Sequence, residues 1–289
     1  MDVSIATARL LVDDQFPEYA HLPIESVQSG GTDNTIFRLG EALSLRFPKR
    51  ASGSSQAEKE HKWLPLLNPL PLAISQPLKR GHSAAEYPHA WSIYNWIPGA
   101  PLSTSKIDDW SRAALDLARF VSALQLKTVK GAPRSGAQNN FRGVLLAERD
   151  DLTRRAIERL TDEYSALKLL EVWENALAAP ICAGEPVWLH GDLQGGNILV
   201  REGHLAAIID FGLSGVGDPA CDLMVAWSIL PAEVKTIFRN EIACNDGTWA
   251  RGRGWALSVS TIALEYHRTR TPALSAISRQ TISAVLNDF

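Results

Sequence analysis

Through its first third the chain sets short apolar runs of period two between turn residues, and it then changes to helical spacing. Ile24 to Gln28 reads as a strand, followed by the turn-prone stretch Ser29-Gly30-Gly31-Thr32-Asp33-Asn34. Thr35 to Leu39 resumes the β pattern, Gly40-Glu41 offers a tight turn, and Ala42 to Phe47 returns as another strand. Ser52 to Ser55 are capping or flexible residues, and Gln56 to Leu67 predicts a helix with Trp63, Leu66 and Leu67 on one side. Pro69, Pro71 and Pro77 punctuate the chain, and Ala90 to Ile97 reads as an aromatic-rich strand ending at Pro98-Gly99.

Beyond that Pro-Gly pair the spacing is mainly helical. Ser105 is placed to cap a helix running to about Lys127, with Leu115, Leu117, Ala118, Val121 and Leu124 as its apolar stripe. Gly131 to Asn140 reads as a loop, and helical patterning returns over Gly143–Ala179 and after Pro219 to the end. Short strands are predicted between those helices at Val187–Leu189, Ile198–Val200 and Leu205–Ile209. The fold class is therefore α+β. A small β-rich N-lobe, residues 1–97, precedes a larger helical C-lobe, residues 98–289, that carries a short β-hairpin insert.

Composition narrows the classes. With 289 residues, 45% of them hydrophobic and 21% charged, the chain can bury a core in each lobe. No apolar run is long enough to span a bilayer and the N-terminus does not have the pattern of a secretory signal, so no membrane partner is expected. Three widely spaced cysteines (Cys182, Cys221, Cys244) fit neither a disulfide framework nor a zinc site and point to a cytoplasmic protein. A formal charge of −3, with no basic stripe carrying aromatics, argues against nucleic acid as a partner. Oligomeric state is not readable from the sequence.

The chemistry concentrates in one stretch. Trp188-Leu189-His190-Gly191-Asp192 leads through Gln194-Gly195-Gly196 to Asn197-Ile198-Leu199-Val200, and Leu205 to Ile209 leads to Asp210-Phe211-Gly212. Arg201 to His204 can reverse the chain between the last two strands. Antiparallel neighbours lie about 5 Å apart, so Asn197 and Asp210 should meet at one end of the hairpin despite their separation in sequence. An amide oxygen and a carboxylate converging there suit Mg²⁺, which prefers hard oxygen ligands. The glycines around Gly195 let the backbone bend so that Asp192 reaches the same place. Phosphoryl transfer needs these parts: a carboxylate to orient the attacking hydroxyl and accept its proton, and metal ions to neutralise the triphosphate. The order His-x-Asp-x-x-x-x-Asn and then Asp-Phe-Gly matches kinases in type and spacing.

His190-Gly191-Asp192, Asn197, Ile209-Asp210-Phe211-Gly212 and Gly217-Asp218-Pro219-Ala220-Cys221-Asp222-Leu223 resemble the signature of the aminoglycoside phosphotransferase family. The likeness runs over nearly the whole chain, including Glu60-His61-Lys62-Trp63-Leu64-Pro65. It implies a protein-kinase-like bilobal fold that binds ATP between the lobes. Asp192 would be the catalytic base, Asn197 and Asp210 the Mg²⁺ ligands, and His190 a support for the loop. It also implies a small-molecule hydroxyl as phosphate acceptor, with an aminoglycoside or another antibiotic as the family's suggestion. Gln194-Gly195-Gly196 departs from the family's more usual His-Pro-Gly type, and Leu213 stands where an acidic residue is frequent. No lysine occupies the phosphate-binding position on the third strand. Arg46 is there instead, with Lys49 as the fallback and Glu60, or else Glu58, as ion-pair partner on the first helix.

Other features carry two readings. Gly30 and Gly31 fit a nucleotide loop or a plain hairpin turn. The backbone of Tyr94, Asn95 and Trp96 falls where the family's interlobe hinge meets adenine, whereas the side chains of Trp91, Tyr94 and Trp96 read as core aromatics. Asp222 reads as a buried brace beneath the catalytic loop, and Asp218 as a cap ahead of Pro219. Glu265, Tyr266 and His267 border an acceptor pocket or lie on a surface helix. Two functions follow from different classes: an ATP-dependent small-molecule kinase, or a nucleotide-binding pseudokinase kept in view by Arg46.

Overall fold

The computed structural model describes residues 3–27 and 34–289. Gly30 and Gly31 therefore lie outside the described residues. The chain opens on a helix that the β-rich reading did not anticipate, α1 (Ile5–Gln15), started by Ser4, whose Oγ accepts from Thr7 N at 3.0 Å. Strands β1 (Ile24–Ser26), β2 (Asn34–Leu39) and β3 (Leu43–Pro48) follow, then α2 (Ser52–Leu67), β4 (Ala73–Ile74), β5 (Pro77–Gly81) and β6 (Trp91–Asn95). Five of these strands form an antiparallel sheet in the order β1-β2-β3-β6-β5.

The inner face of that sheet packs on α1 through Phe37, Leu45, Phe47, Trp91 and Ile93, all nearly solvent-free. Phe47 stacks on Trp91 at 4.9 Å between centroids. Helix α2 belongs instead to the larger core of the C-terminal part, where Trp63 meets Trp188 at 5.3 Å. Its buried stripe is Trp63, Leu64 and Leu67; Leu66, which the sequence reading placed on that side, is 60% exposed because one further residue rotates it away from the stripe.

After β7 (Ala100–Pro101) comes α3 (Trp110–Gln125), capped not by Ser105 but by Asp109, whose Oδ1 accepts from Arg112 N at 3.1 Å. The Ser105 hydroxyl is engaged with Pro101 O at 2.8 Å. The stretch read as one helical pattern to Ala179 divides into α4 (Asp150–Glu158) and α5 (Ala166–Ala178). In the intervening turn Asp162 and Glu163 are tied to Arg268 and Arg279. Strands β8 (Val187–Leu189), β9 (Ile198–Arg201) and β10 (His204–Ile208) fall close to where period-two spacing put them, while β11 (Gly215–Gly217), which pairs antiparallel with β8, was not anticipated. Helices α6 (Val225–Ser228), α7 (Lys235–Ile242), α8 (Asp246–His267) and α9 (Pro272–Leu286) complete the chain.

The hairpin β9–β10 sits in a second sheet of order β4-β10-β9-β7, in which β4 pairs with β10 in parallel. The hairpin is thus flanked by strands from either side of the β6 segment. Among the described residues no helix is long and apolar enough to cross a membrane.

Candidate active site

The loop that leaves β8 is held from beneath. Asp222, fully buried, accepts from His190 N at 2.7 Å with Oδ2 and from Gly191 N at 2.8 Å with Oδ1. Burial pushes the Asp222 carboxyl above its ordinary value, while the two amides and the nearby Arg142 charge oppose the rise. Gly191 has φ +78°, and a Cβ there would lie 2.5 Å from Leu213 O, so no larger residue fits the bend. His190 fastens the loop to β10: its Nε2–H donates to Ile209 O at 3.1 Å, and its Nδ1 accepts from Asp192 N at 3.2 Å. The Phe211 ring lies edge-on to His190 at 4.6 Å.

Asp192 then emerges partly exposed. Its Oδ2 accepts from Gln194 Nε2 and from Asn197 Nδ2, each at 3.0 Å. Among the described residues no side chain hydrogen-bonds to Oδ1; the ionic group facing it is Arg142 Nη2 at 3.9 Å. Gln194, one of the departures from the family pattern, therefore takes part in fixing the carboxylate. With its Nδ2 spent on Asp192, the amide oxygen of Asn197 is left for another partner.

The hairpin brings Asn197 level with Ile209, the residue before Asp210. Ile198 pairs with Ile208 across β9–β10, and Ile209 N donates to Asn197 O at 2.9 Å. Asp210 has φ +65°, a left-handed conformation favoured only for Gly, Asn and Asp, and its Oδ1 accepts from Gly212 N at 3.3 Å. Among the described residues no group of three or more His, Cys, Asp or Glu could hold a metal ion. An amide oxygen and one carboxylate supply two hard donors, which suits a Mg²⁺ that keeps waters and takes phosphate oxygens for the rest.

On the sheet side, Arg46 of β3 faces Glu60 of α2 at 3.8 Å. Its guanidinium also reaches Ser75 Oγ at 3.1 Å and lies 4.2 Å over the Tyr94 ring. Glu60 is buried, accepts from Tyr94 OH, and is pushed upward by burial against the opposing charge of Arg46. Glu58 turns outward to Arg80, and Lys49 lies past the end of β3. A cavity of about 20 Å³ is enclosed between Arg46, Glu60, Ser92, Tyr94, Asp210 and Gly212.

Tyr94 and Trp91 are core residues, while Trp96 is only half-buried, under the Arg38 guanidinium at 5.5 Å. The backbone amides of Asn95 and Trp96 already donate to Gln76 O at 3.1 Å and Ala42 O at 2.7 Å. Glu265 is paired with Arg159 at 2.7 Å and Tyr266 is exposed on α8.

Sequence reasoning missed Lys59. Its Nζ donates to Gly212 O at 2.6 Å and Ser214 O at 2.8 Å, tying α2 to the segment after Asp210. Burial lowers its pKa to about 8, against the pull of Glu60 and Asp210. The signal was its place beside Glu60: adjacent helical residues diverge by about 100°, so the two face different lobes.

A carboxylate on the loop after β8, an amide and a carboxylate at the end of a hairpin and a cation–carboxylate pair on the facing sheet are the parts that a phosphotransferase with a protein-kinase-like fold requires. The model of the phosphotransferase enzyme family (APH) matches residues 25–255, and the chain belongs to that family. Its fold is shared with the GDP complex of wild-type aminoglycoside 2'-phosphotransferase-IIIa, at TM-score 0.73 and 21% identity over 99% of this chain and 100% of that one. The apoenzyme of macrolide 2'-phosphotransferase MphH from Brachybacterium faecium gives TM-score 0.61 and 23% identity over 91% of each chain. A streptomycin–ATP ternary complex of an APH(2'')-IIa enzyme gives 0.62 and 19%, covering 99% of this chain and 97% of that one. No curated protein sequence matches the chain at a significant level.

Proposed function

We propose that the protein transfers the γ-phosphate of ATP to a hydroxyl of a small molecule, with Asp192 as base. The observation that carries this reading is the Asp192 carboxylate itself: Oδ2 is held by two amide donors, and Oδ1 is left to face an incoming hydroxyl. The acceptor hydroxyl gives its proton to Oδ1 as its oxygen bonds to the γ-phosphorus, the bond to the β,γ-bridging oxygen breaks, and ADP leaves. Asn197 and Asp210 would hold Mg²⁺, which supplies charge neutralisation on the triphosphate. Arg46, positioned by Glu60 and Ser75, would direct its guanidinium at phosphate oxygens.

Residues 1–97 form the nucleotide-binding lobe and residues 98–289 the catalytic and acceptor-binding lobe of this scheme. The backbone of the Tyr94–Trp96 segment would meet adenine, and its Asn95 and Trp96 amides are already engaged with Gln76 O and Ala42 O. The structural neighbours named above bind aminoglycosides or act on macrolides, so hydroxylated antibiotics are the first acceptors to test. The three free cysteines support a cytoplasmic setting for the reaction.

The test is coupled ADP release with ATP and Mg²⁺ over a panel of antibiotics and hydroxylated metabolites, beside Asp192→Asn. Acceptor-stimulated turnover that falls about 10²- to 10⁴-fold in the variant supports the base assignment. ATP binding without Mg²⁺-dependent turnover of any kind would instead mark a pseudokinase.

A further inference from the structure

Arg142 stands over the catalytic loop, and the reaction as described gives it no work. The loop that carries it is built around its backbone. Asn139, fully buried, donates from Nδ2 to Arg142 O at 2.9 Å. The residues before it, Asn140 and Phe141, have φ of +52° and +55°, and Gly143 after it has φ +80°. A Cβ on Gly191 would come within 3.2 Å of the Arg142 Cβ, so the two backbones are in close register. Of the guanidinium nitrogens, Nη2 is the one that faces Asp192, at 3.9 Å from Oδ1. Nε and Nη1 are buried without a hydrogen-bond partner.

The 3.9 Å gap is too long for a hydrogen bond, yet an oxygen atom placed about 2.8 Å from each group fits between them. The acceptor hydroxyl must occupy the Oδ1 side, because Gln194 and Asn197 close the Oδ2 side. Any acceptor therefore presents its reacting hydroxyl, and the groups beside it, to a fixed guanidinium.

The charges further out point the same way. Several acids of the helical lobe are paired with arginines within it: Asp150 and Glu174 with Arg154, Glu265 with Arg159, Asp162 with Arg268 and Glu163 with Arg279. Behind Arg142 lies a second buried guanidinium, Arg149, lowered to about 10 by burial and then by the Arg142 charge. A polycationic acceptor would meet positive charge at the base, whereas an oxyanion would find the Nη2 donor of a charged, fixed guanidinium.

The geometry points to Arg142 as the acceptor-recognition residue, selecting a hydroxyl compound that carries a carboxylate or phosphate close to the reacting hydroxyl. This rests on the phosphotransferase reading and narrows its acceptor.

The test measures thermal stabilisation of the Mg·ADP-loaded protein by matched pairs at equal ionic strength: lactate and lactamide, glycerate and glyceramide, gluconate and gluconamide, with kanamycin alongside. At least one acid is expected to bind about tenfold or more tightly than its amide. Arg142→Gln abolishes that preference, and Arg142→Lys keeps part of it. The shift produced by Mg·ADP alone serves as the control that each variant folds, and its absence in the wild type would sink the phosphotransferase reading instead. If no acid is preferred to its amide, or the preference survives in Arg142→Gln, the acceptor assignment is wrong. Tighter binding of kanamycin than of every acid also overturns it. So does a loss in Arg142→Gln that is equal for acid and amide, which would put the guanidinium on the transferred phosphoryl group.

Discussion

Asn197 grips Asp192 at two points, with its Nδ2 2.9 Å from the Asp192 carbonyl oxygen and 3.0 Å from Oδ2. One side chain thereby couples the orientation of the base to an amide oxygen offered to a metal. Asn197→Ala should lower kcat about 10²-fold or more and raise the Mg²⁺ concentration needed for half-maximal turnover. Turnover measured across a Mg²⁺ series separates the two effects. A fall in kcat with an unchanged Mg²⁺ requirement would leave Asn197 as a support for Asp192 alone.

Asp222 does not reach the reaction, and its role is mechanical. Its two oxygens serve the amides of His190 and Gly191 in a fully buried setting. Asp222→Ala strands both donors, and bonds to a charged acceptor contribute about 1.5–3 kcal/mol each. A loss of at least about 3 kcal/mol is expected, read as a lower urea midpoint at constant slope. Asp222→Asn should lose less, since its amide oxygen still accepts one of the two bonds. Equal losses in the two variants would mean that the carboxylate's hydrogen bonds are not what matters.

Strands β8, β9 and β10, and the hairpin that brings Asn197 level with Ile209, were legible because they follow from local pattern: short apolar runs, turn residues between them, and hairpin geometry. Helix α1 was not anticipated, although Ser4 caps it, because its apolar stripe is thin, with only Ala8, Leu11 and Val12 buried. The outward turn of Leu66 is a matter of which lobe α2 packs on, a tertiary fact that spacing alone does not give. Lys59 and Arg142 act through contacts 153 and 50 positions away, at Gly212 and Asp192. Arg142 further depends on the left-handed backbone at Asn140 and Phe141, and Phe141 is not a residue type that announces it.

Lys59 makes α2 responsive to alkaline pH. Its folded pKa of about 8 lies below the ordinary 10.5, so between these values the unfolded chain holds a proton that the folded one has released. Stability therefore gains from this group as pH rises through that window, by up to about 1.4 kcal/mol per pH unit for one proton. Lys59→Met should remove that gain, so urea midpoints compared between pH 8 and 10 should rise less steeply in the variant than in the wild type. Parallel profiles would show that the lysine titrates alike in both states.

Arg46 carries the reverse case through Glu60. Burial raises the Glu60 carboxyl, and the Arg46 charge is the largest influence opposing that rise. A carboxyl raised in the folded state contributes stability below its unfolded value of 4.5, and this contribution is lost as pH rises through the folded value. Arg46→Met raises the folded value further, so the variant should fall increasingly behind the wild type as pH climbs from 4 to 8. Arg46→Lys keeps a charge for Glu60 but gives up the planar fork on Ser75 and the stacking on Tyr94, so its deficit should be smaller. For catalysis the same series should raise KM for ATP about tenfold or more in Arg46→Met and less in Arg46→Lys. Urea midpoints at each pH, with KM measured at neutrality, test both halves. A stability gap that stays constant with pH would show that Glu60 does not depend on Arg46 for its charge.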